Sequence, residues 1–309
     1  MTSELFGHVQ EFPDPDSGDR FDALVGLDHV KRRLVDEAAV LLDPRCLDTW
    51  SKTHHNGPIA AVRAVGERVP LIVLAGDVGT GKTEVAETVG HPISQRLKVN
   101  VTLYPLSLNA RGSGLVGQMT TLITNALAEV RNLAERARTS SGELNRALIL
   151  LVDEADSVAQ SRELDQMHHE DRAGVNALIQ GIDGFQRDRL PVLTIMCTNR
   201  PDSIDPAVSR RAAHIFVFER PDDEQRRSVL MGAFADASID SDTIDELARR
   251  LGPTSDRPFG VTYSDLRQRF VPDAVLDAFG GGRPLSSARL VELATSFIPT
   301  RPFSRRVDD

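Results

Sequence analysis

The chain has 309 residues, 40% of them hydrophobic, 26% charged and 5% aromatic, which is enough apolar side chain for a buried core and rules out a wholly disordered protein. Its 45 acidic residues outnumber its 36 basic ones, and a net charge of −9 leaves no general attraction for nucleic acid or anionic membrane. No apolar run approaches the ~20 residues of a membrane helix, and Met1–Gln10 lacks both a cationic start and an apolar stretch. The expectation is a soluble, cytoplasmic protein. Cys46 and Cys197 are too few for a disulfide framework or a metal cluster, and Cys197, inside an apolar run, reads as a small core residue.

In chain order, residues 1–20 are polar and rich in Pro and Asp, and are expected to form a flexible N-terminal tail. From Phe21, the residues Leu24, Val25, Leu27, Val30, Leu34 and Val40 recur at helical spacing, ending before Pro44. Residues 50–67 are weakly patterned. Short apolar runs then alternate with helical segments. Strands are predicted at Leu71–Ala75, Val99–Leu103, Ala147–Val152, Val192–Thr198 and Ile215–Phe218, with helices at Lys82–Val89 and Thr120–Ala137. Five such strands interleaved with helices predict an α/β fold with a parallel sheet covered on both faces. After Pro221 the strand signals stop. Residues 222–309 read as four helices, Asp223–Phe234, Asp242–Leu251, Thr262–Phe279 and Ser286–Phe297.

Gly76-Asp77-Val78-Gly79-Thr80-Gly81-Lys82-Thr83 fits G-x-x-x-x-G-K-T between a predicted strand and a predicted helix. In such a loop, backbone N–H groups converge on phosphate oxygens and the helix N-terminus adds positive potential. Lys82 would reach the terminal phosphates of ATP, and the Thr83 hydroxyl would ligate Mg²⁺. Lys82 is one of only four lysines, against 32 arginines, so a lysine here stands out.

The run Ala147–Val152 ends in Asp153-Glu154, two carboxylates at the C-terminal edge of a buried strand, where open α/β sheets bind ligands. Asp153 would hold Mg²⁺, and Glu154 would act as general base on the attacking water. Asn199, at the end of the next buried run, is suited to orient that water. Arg210 and Arg211 follow. They fit either a solvated face or arginine fingers reaching a neighbouring subunit's γ-phosphate, where such a residue is worth about 10³–10⁵ in turnover. Their place after the Asn199 segment and before the last strand favours fingers.

This order resembles the AAA+ ATPase plan over about residues 21–300: a P-loop NTPase core followed by an all-helical lid. Phe21-Asp22-Ala23-Leu24-Val25-Gly26 is similar to the opening of the AAA module, which implies that Val25 and Gly26 contact adenine. Asn199-Arg200-Pro201-Asp202-Ser203 and Thr262-Tyr263-Ser264-Asp265-Leu266 are similar to further AAA segments. Val175-Asn176-Ala177-Leu178-Ile179-Gln180-Gly181-Ile182-Asp183 and Arg211-Ala212 resemble the pachytene-checkpoint ATPases, which remodel HORMA-domain proteins, and their bacterial relatives. That resemblance implies Arg211 as the trans-acting finger and a homo-hexamer with ATP at its interfaces. It implies a large ATPase subdomain over 21–221 and a lid over 222–309.

Three departures from the family pattern stand out. The similarity begins near residue 21, so no adaptor-binding domain is expected ahead of it in this chain. Ala213 replaces the second, spaced arginine of the finger motif, which leaves Arg210 and Arg211 as the candidates. The segment aligned with the pore loop, Gly112–Gly117, lacks an aromatic, so Leu115 and Val116 would grip the substrate, unless Leu115 is tucked into the core. Met167-His168-His169 lies where a second pore loop would fall, without a clustered third ligand for a metal.

The family implies partial unfolding of a HORMA-domain protein and disassembly of its complex with a cyclic-oligonucleotide synthase, a nucleotidyltransferase, in bacterial antiphage signalling. A rubisco-activase-like or general unfoldase ATPase is the alternative. A nucleic-acid motor is disfavoured by the acidic balance.

Overall fold

A computed structural model describes residues 5–107, 118–138, 143–155, 169–200, 202 and 204–302. The chain divides into two compact units. Met1–Ala23, Asp28–Ala75 and Thr83–Val217 form the first; Leu24–Leu27, Gly76–Lys82 and Phe218–Asp309 form the second.

The first unit is built on a sheet of β1 (Gln10–Phe12), β2 (Leu71–Gly76), β3 (Asn100–Pro105), β4 (Arg146–Val152), β5 (Val192–Thr198) and β6 (His214–Phe218), in the order β1-β3-β4-β5-β2-β6. β3 pairs with β4, β4 with β5 and β5 with β2, all in parallel. Every residue of β2 and β5 is buried, Thr194 and Thr198 among them, as expected where both faces of a parallel sheet are covered. Ile123, Leu127 and Val130 of the helix Gln118–Glu135 share one core with Val175, Leu178 and Ile182 of the helix His169–Arg187 and with Leu148 and Leu150 of β4. The helix Asp28–Leu42 packs on β5, and Gly90–Leu97 on β3. Each fully buried Leu or Ile in these layers contributes about 1.5–3 kcal/mol.

Two expectations need correction. The sheet has six strands, because β1 adds to the edge antiparallel to β3, with Glu11 opposite Thr102. For the same reason residues 5–20 are not an irregular tail. Phe6 stacks edge-on against Tyr104 with ring centroids 5.2 Å apart, and Phe12 is buried. Asp14 caps the helix Pro15–Asp22, its Oδ2 accepting from the Ser17 amide at 3.2 Å. The Pro/Asp composition of this stretch marks turns and a helix start, and the phenylalanines at 6, 12 and 21 anchor it.

The second unit carries helices Asp223–Ala233, Ser241–Arg250, Val271–Gly280 and Ser287–Ser296 around a core that includes Leu230, Leu247, Leu266, Phe270 and Leu290. Asp222 and Gln225 form a reciprocal capping box at the first helix. The sequence predicts one helix over Thr262–Phe279. Instead a π-helix, Asp265–Phe270, leads into Val271–Gly280. Pro272 has no amide hydrogen to give the preceding turn, and that turn widens. No helix among the described residues is long and apolar enough to cross a membrane.

Candidate functional site

In the first unit the register brings strand ends together. Val152 of β4 lies opposite Met196 of β5, and Ala75 of β2 opposite Thr198. Asp153 and Asn199 therefore follow the C-terminal ends of adjacent strands, and Asn199 is half-buried. Asp153 accepts from the Thr83 hydroxyl through Oδ2 at 3.1 Å and from the Glu154 amide through Oδ1 at 2.8 Å. A hydroxyl and a carboxylate, both hard oxygen donors, are a set that suits Mg²⁺, which keeps most of its waters and takes few protein ligands.

Glu154 is exposed and holds φ at +50°, a left-handed conformation unusual for a residue with a side chain. Such strain persists where the surrounding structure fixes it, and it concentrates at functional sites. Nearby, burial pushes the Glu87 carboxyl up, with the charge of Glu84 adding to the shift, Arg20 opposing it and Asp153 adding again. Arg20 reaches Glu84 at 2.8 Å and Glu87 at 3.6 Å.

In the second unit the loop is closed on itself. Lys82 is buried, and its Nζ donates to the carbonyls of Gly76 at 3.0 Å and Asp77 at 2.7 Å. The Thr80 hydroxyl donates to the Asp77 carbonyl at 2.7 Å. Val78 is exposed and its amide donates to Asp77 Oδ1 at 2.9 Å. Gly79 has φ +74°, and a Cβ there would meet Thr262 Oγ1 at 2.7 Å, so a side chain is excluded on two counts. Gly81 completes the turn into the helix Lys82–Thr88.

Val25 and Gly26 belong to this second unit. Val25 packs against its core, and a Cβ on Gly26 would come within 2.6 Å of both the Gln225 amide and the Tyr263 hydroxyl. Tyr263 donates to Gln225 Oε1 at 2.9 Å. Burial pushes the Tyr263 phenol up to about 12, helped by the charge of Asp222 and opposed by Arg267.

Arg210 ends the short helix Pro206–Ser209 and is exposed. Arg211 is half-buried, its Nε donating to both oxygens of Asp183 at 3.1 and 3.2 Å and its Nη1 to the Ala207 carbonyl at 3.1 Å. It lines a cleft of about 1390 Å³ in the first unit, whose walls also hold Arg45, Arg63, Arg138, Arg187 and Arg189. Leu115, Val116 and His168 lie outside the described residues. Among the described residues no three His, Cys, Asp or Glu side chains group as a metal site.

Sequence reasoning passed over Arg220, Gln225 and Glu87. Glu87 stands one helical turn beyond Thr83, which is a local signal. Arg220 and Gln225 meet partners far away in the chain, and no spacing points to them.

Residues 72–220 match the family described as "ATPase family associated with various cellular activities (AAA)". CD-NTase-associated protein 6 of Escherichia coli (strain MS 115-1) is 46% identical over 276 residues, 89% of each chain. A chain from the structure of the E. coli MS115-1 HORMA:CdnC:Trip13 complex superposes with a TM-score of 0.92 at 43% identity, covering 98% of this chain and 99% of that one. The structure of Rhizobiales Trip13 gives a TM-score of 0.76 at 41% identity over 96% of this chain and 100% of that one. The loop, the acidic strand end and the helical second unit thus stand in a chain that belongs to the AAA ATPase family, among the relatives of CD-NTase-associated protein 6.

Proposed function

We propose that this chain is a Mg²⁺-dependent ATPase that assembles as a homo-hexamer in the cytoplasm and partially unfolds a HORMA-domain protein, dismantling its complex with a cyclic-oligonucleotide synthase in antiphage signalling. Residues 21–221 form most of its ATPase subdomain, with the segment 5–20 added at the edge of the sheet, and residues 222–309 form its lid. The observation that carries the reading is the near end-to-end likeness to the matched chain of the HORMA:CdnC:Trip13 complex.

ATP bound with Mg²⁺ supplies the γ-phosphoryl group whose transfer to water drives the work. Gly76–Thr83 hold its phosphates with backbone amides and the Lys82 ammonium. Thr83 and Asp153 hold Mg²⁺ by their oxygens. The Glu154 carboxylate takes the proton of the attacking water, and the Asn199 amide orients that water. Arg211, or Arg210 beside it, reaches the neighbouring subunit's site and offsets charge that develops on the phosphoryl oxygens. Val25 and Gly26 receive adenine. Leu115 and Val116 grip the substrate in the pore.

The test is a mixture of purified protein, ATP, magnesium and a preformed HORMA–synthase complex, followed on a native gel. ATP-dependent release of the synthase is expected. A complex that persists while ATP is hydrolysed would remove the HORMA assignment and leave an ATPase with another substrate.

A further inference from the structure

Asp77 places a carboxylate inside the phosphate-binding loop. Its carboxylate stands directly after Gly76, in a segment whose task is to gather negative oxygens, and a bare charge there repels a triphosphate. The structure neutralises it. Asp77 Oδ2 accepts from Arg220 Nε at 2.8 Å and also from Arg220 Nη2. The pair is shielded, with 13% of the Arg220 side chain and 18% of the Asp77 side chain exposed, so salt screens it little.

Arg220 does more than cancel a charge. Its Nη1 donates to the Gly260 carbonyl at 2.6 Å and to the Thr300 carbonyl at 2.8 Å, and the guanidinium lies 5.2 Å from the Phe259 ring centroid. Thr300 is held from its other side, since its amide donates to Asp265 Oδ2 at 3.0 Å and its hydroxyl to Asp265 Oδ1 at 2.7 Å. The Asp77 carbonyl meanwhile anchors both Lys82 and Thr80. A displacement of Asp77 therefore moves the anchor of the phosphate-binding lysine. A lysine at 220 would keep the charge and lose the planar fork that makes these bonds at once.

We propose that Arg220 is a positioning residue for nucleotide binding: it cancels the Asp77 charge within the loop and fixes that residue, and with it Lys82, to the segments at Gly260 and Thr300. The inference rests on the reading of Gly76–Thr83 as a nucleotide-binding loop. Because the repulsion it removes grows with phosphate charge, its loss weighs more on ATP than on ADP.

Calorimetric titration of the full chain with ATP and with ADP tests this. Arg220→Ala is expected to weaken ATP binding about 10- to 100-fold and ADP binding less. Adding Asp77→Asn to that variant removes the repulsion but not the lost anchorage, so it is expected to recover about half of the loss on a logarithmic scale, with Arg220→Lys falling between wild type and Arg220→Ala. An Arg220→Ala protein within about twofold of wild type overturns the proposal, as does a double variant as weak as the single one. Asp77→Asn alone keeps the Arg220 bonds to Gly260 and Thr300 and leaves the guanidinium charge uncancelled, so it is expected to raise the preference for ATP over ADP above that of wild type. A preference no higher than that of wild type overturns the proposal even if Arg220→Ala does not fold. If the wild-type chain itself bound neither nucleotide, the loop assignment would fall, and not this pair alone.

Discussion

The Thr83 hydroxyl and the Asp153 carboxylate, 70 residues apart in the chain, meet at 3.1 Å. The helix that begins at Lys82 and the strand that ends at Val152 each deliver one hard oxygen donor to the same point. Asp153→Asn should raise the magnesium needed for half-maximal turnover about 10- to 100-fold, the range seen when a residue supporting a metal is lost. A magnesium titration of phosphate release measures this, and an unchanged midpoint would take Asp153 away from the cation. Chelating magnesium should stop turnover in the wild type.

Glu154 separates stability from activity. Glu154→Gln should retain ATP and lose hydrolysis by about 10²–10⁴-fold, measured as bound nucleotide against released phosphate. Glu154→Gly should be equally inactive yet fold about 1 kcal/mol more favourably, because glycine adopts the +50° φ without strain. A denaturant melt that shows Glu154→Gly no more stable than Glu154→Gln would mean that the turn carries no strain.

Arg211 is presented by Asp183 and the Ala207 carbonyl and does not lie free on the surface. Arg211→Ala should cost about 10³-fold or more in turnover. Mixing it with Lys82→Ala subunits should recover part of the activity, because some interfaces then combine an intact loop with an intact arginine. The same mixture made with Arg210→Ala identifies the dominant finger. Absence of recovery in both mixtures would exclude action across an interface.

Tyr263 gives the second unit an alkaline limit. The folded phenol titrates at about 12, above the ~10 of an unfolded tyrosine. The folded state thus binds this proton more tightly. Its contribution to stability is complete below pH ~10 and is lost as the pH climbs toward the folded value. Thermal melts between pH 9 and pH 12 should fall more steeply for wild type than for Tyr263→Phe, which has no proton to lose. Parallel slopes would show that Tyr263 does not contribute.

Much of the site was legible because its parts are local. A strand, a glycine-rich turn and a helix start follow one another within Leu71–Thr88, so the loop's spacing carries its geometry. Asp153-Glu154 and Asn199 each stand just past a buried run, which places them at a strand end without knowledge of the partner strands. The N-terminal segment departs from its sequence expectation because composition averages over residues. Asp and Pro dominate the composition of 1–20, whereas Phe6 and Phe12 decide where residues 5–20 pack.

From the sequence alone came the alternation of strands and helices, the phosphate loop and the carboxylates, since each depends on neighbours within a few residues. Folding alone decided the union of Asp77 with Arg220 across 143 residues, the glycine at 26 beneath Gln225 and Tyr263, and the left-handed turn at Glu154. Those depend on the summed packing of distant segments, and no single stretch of chain contains that sum.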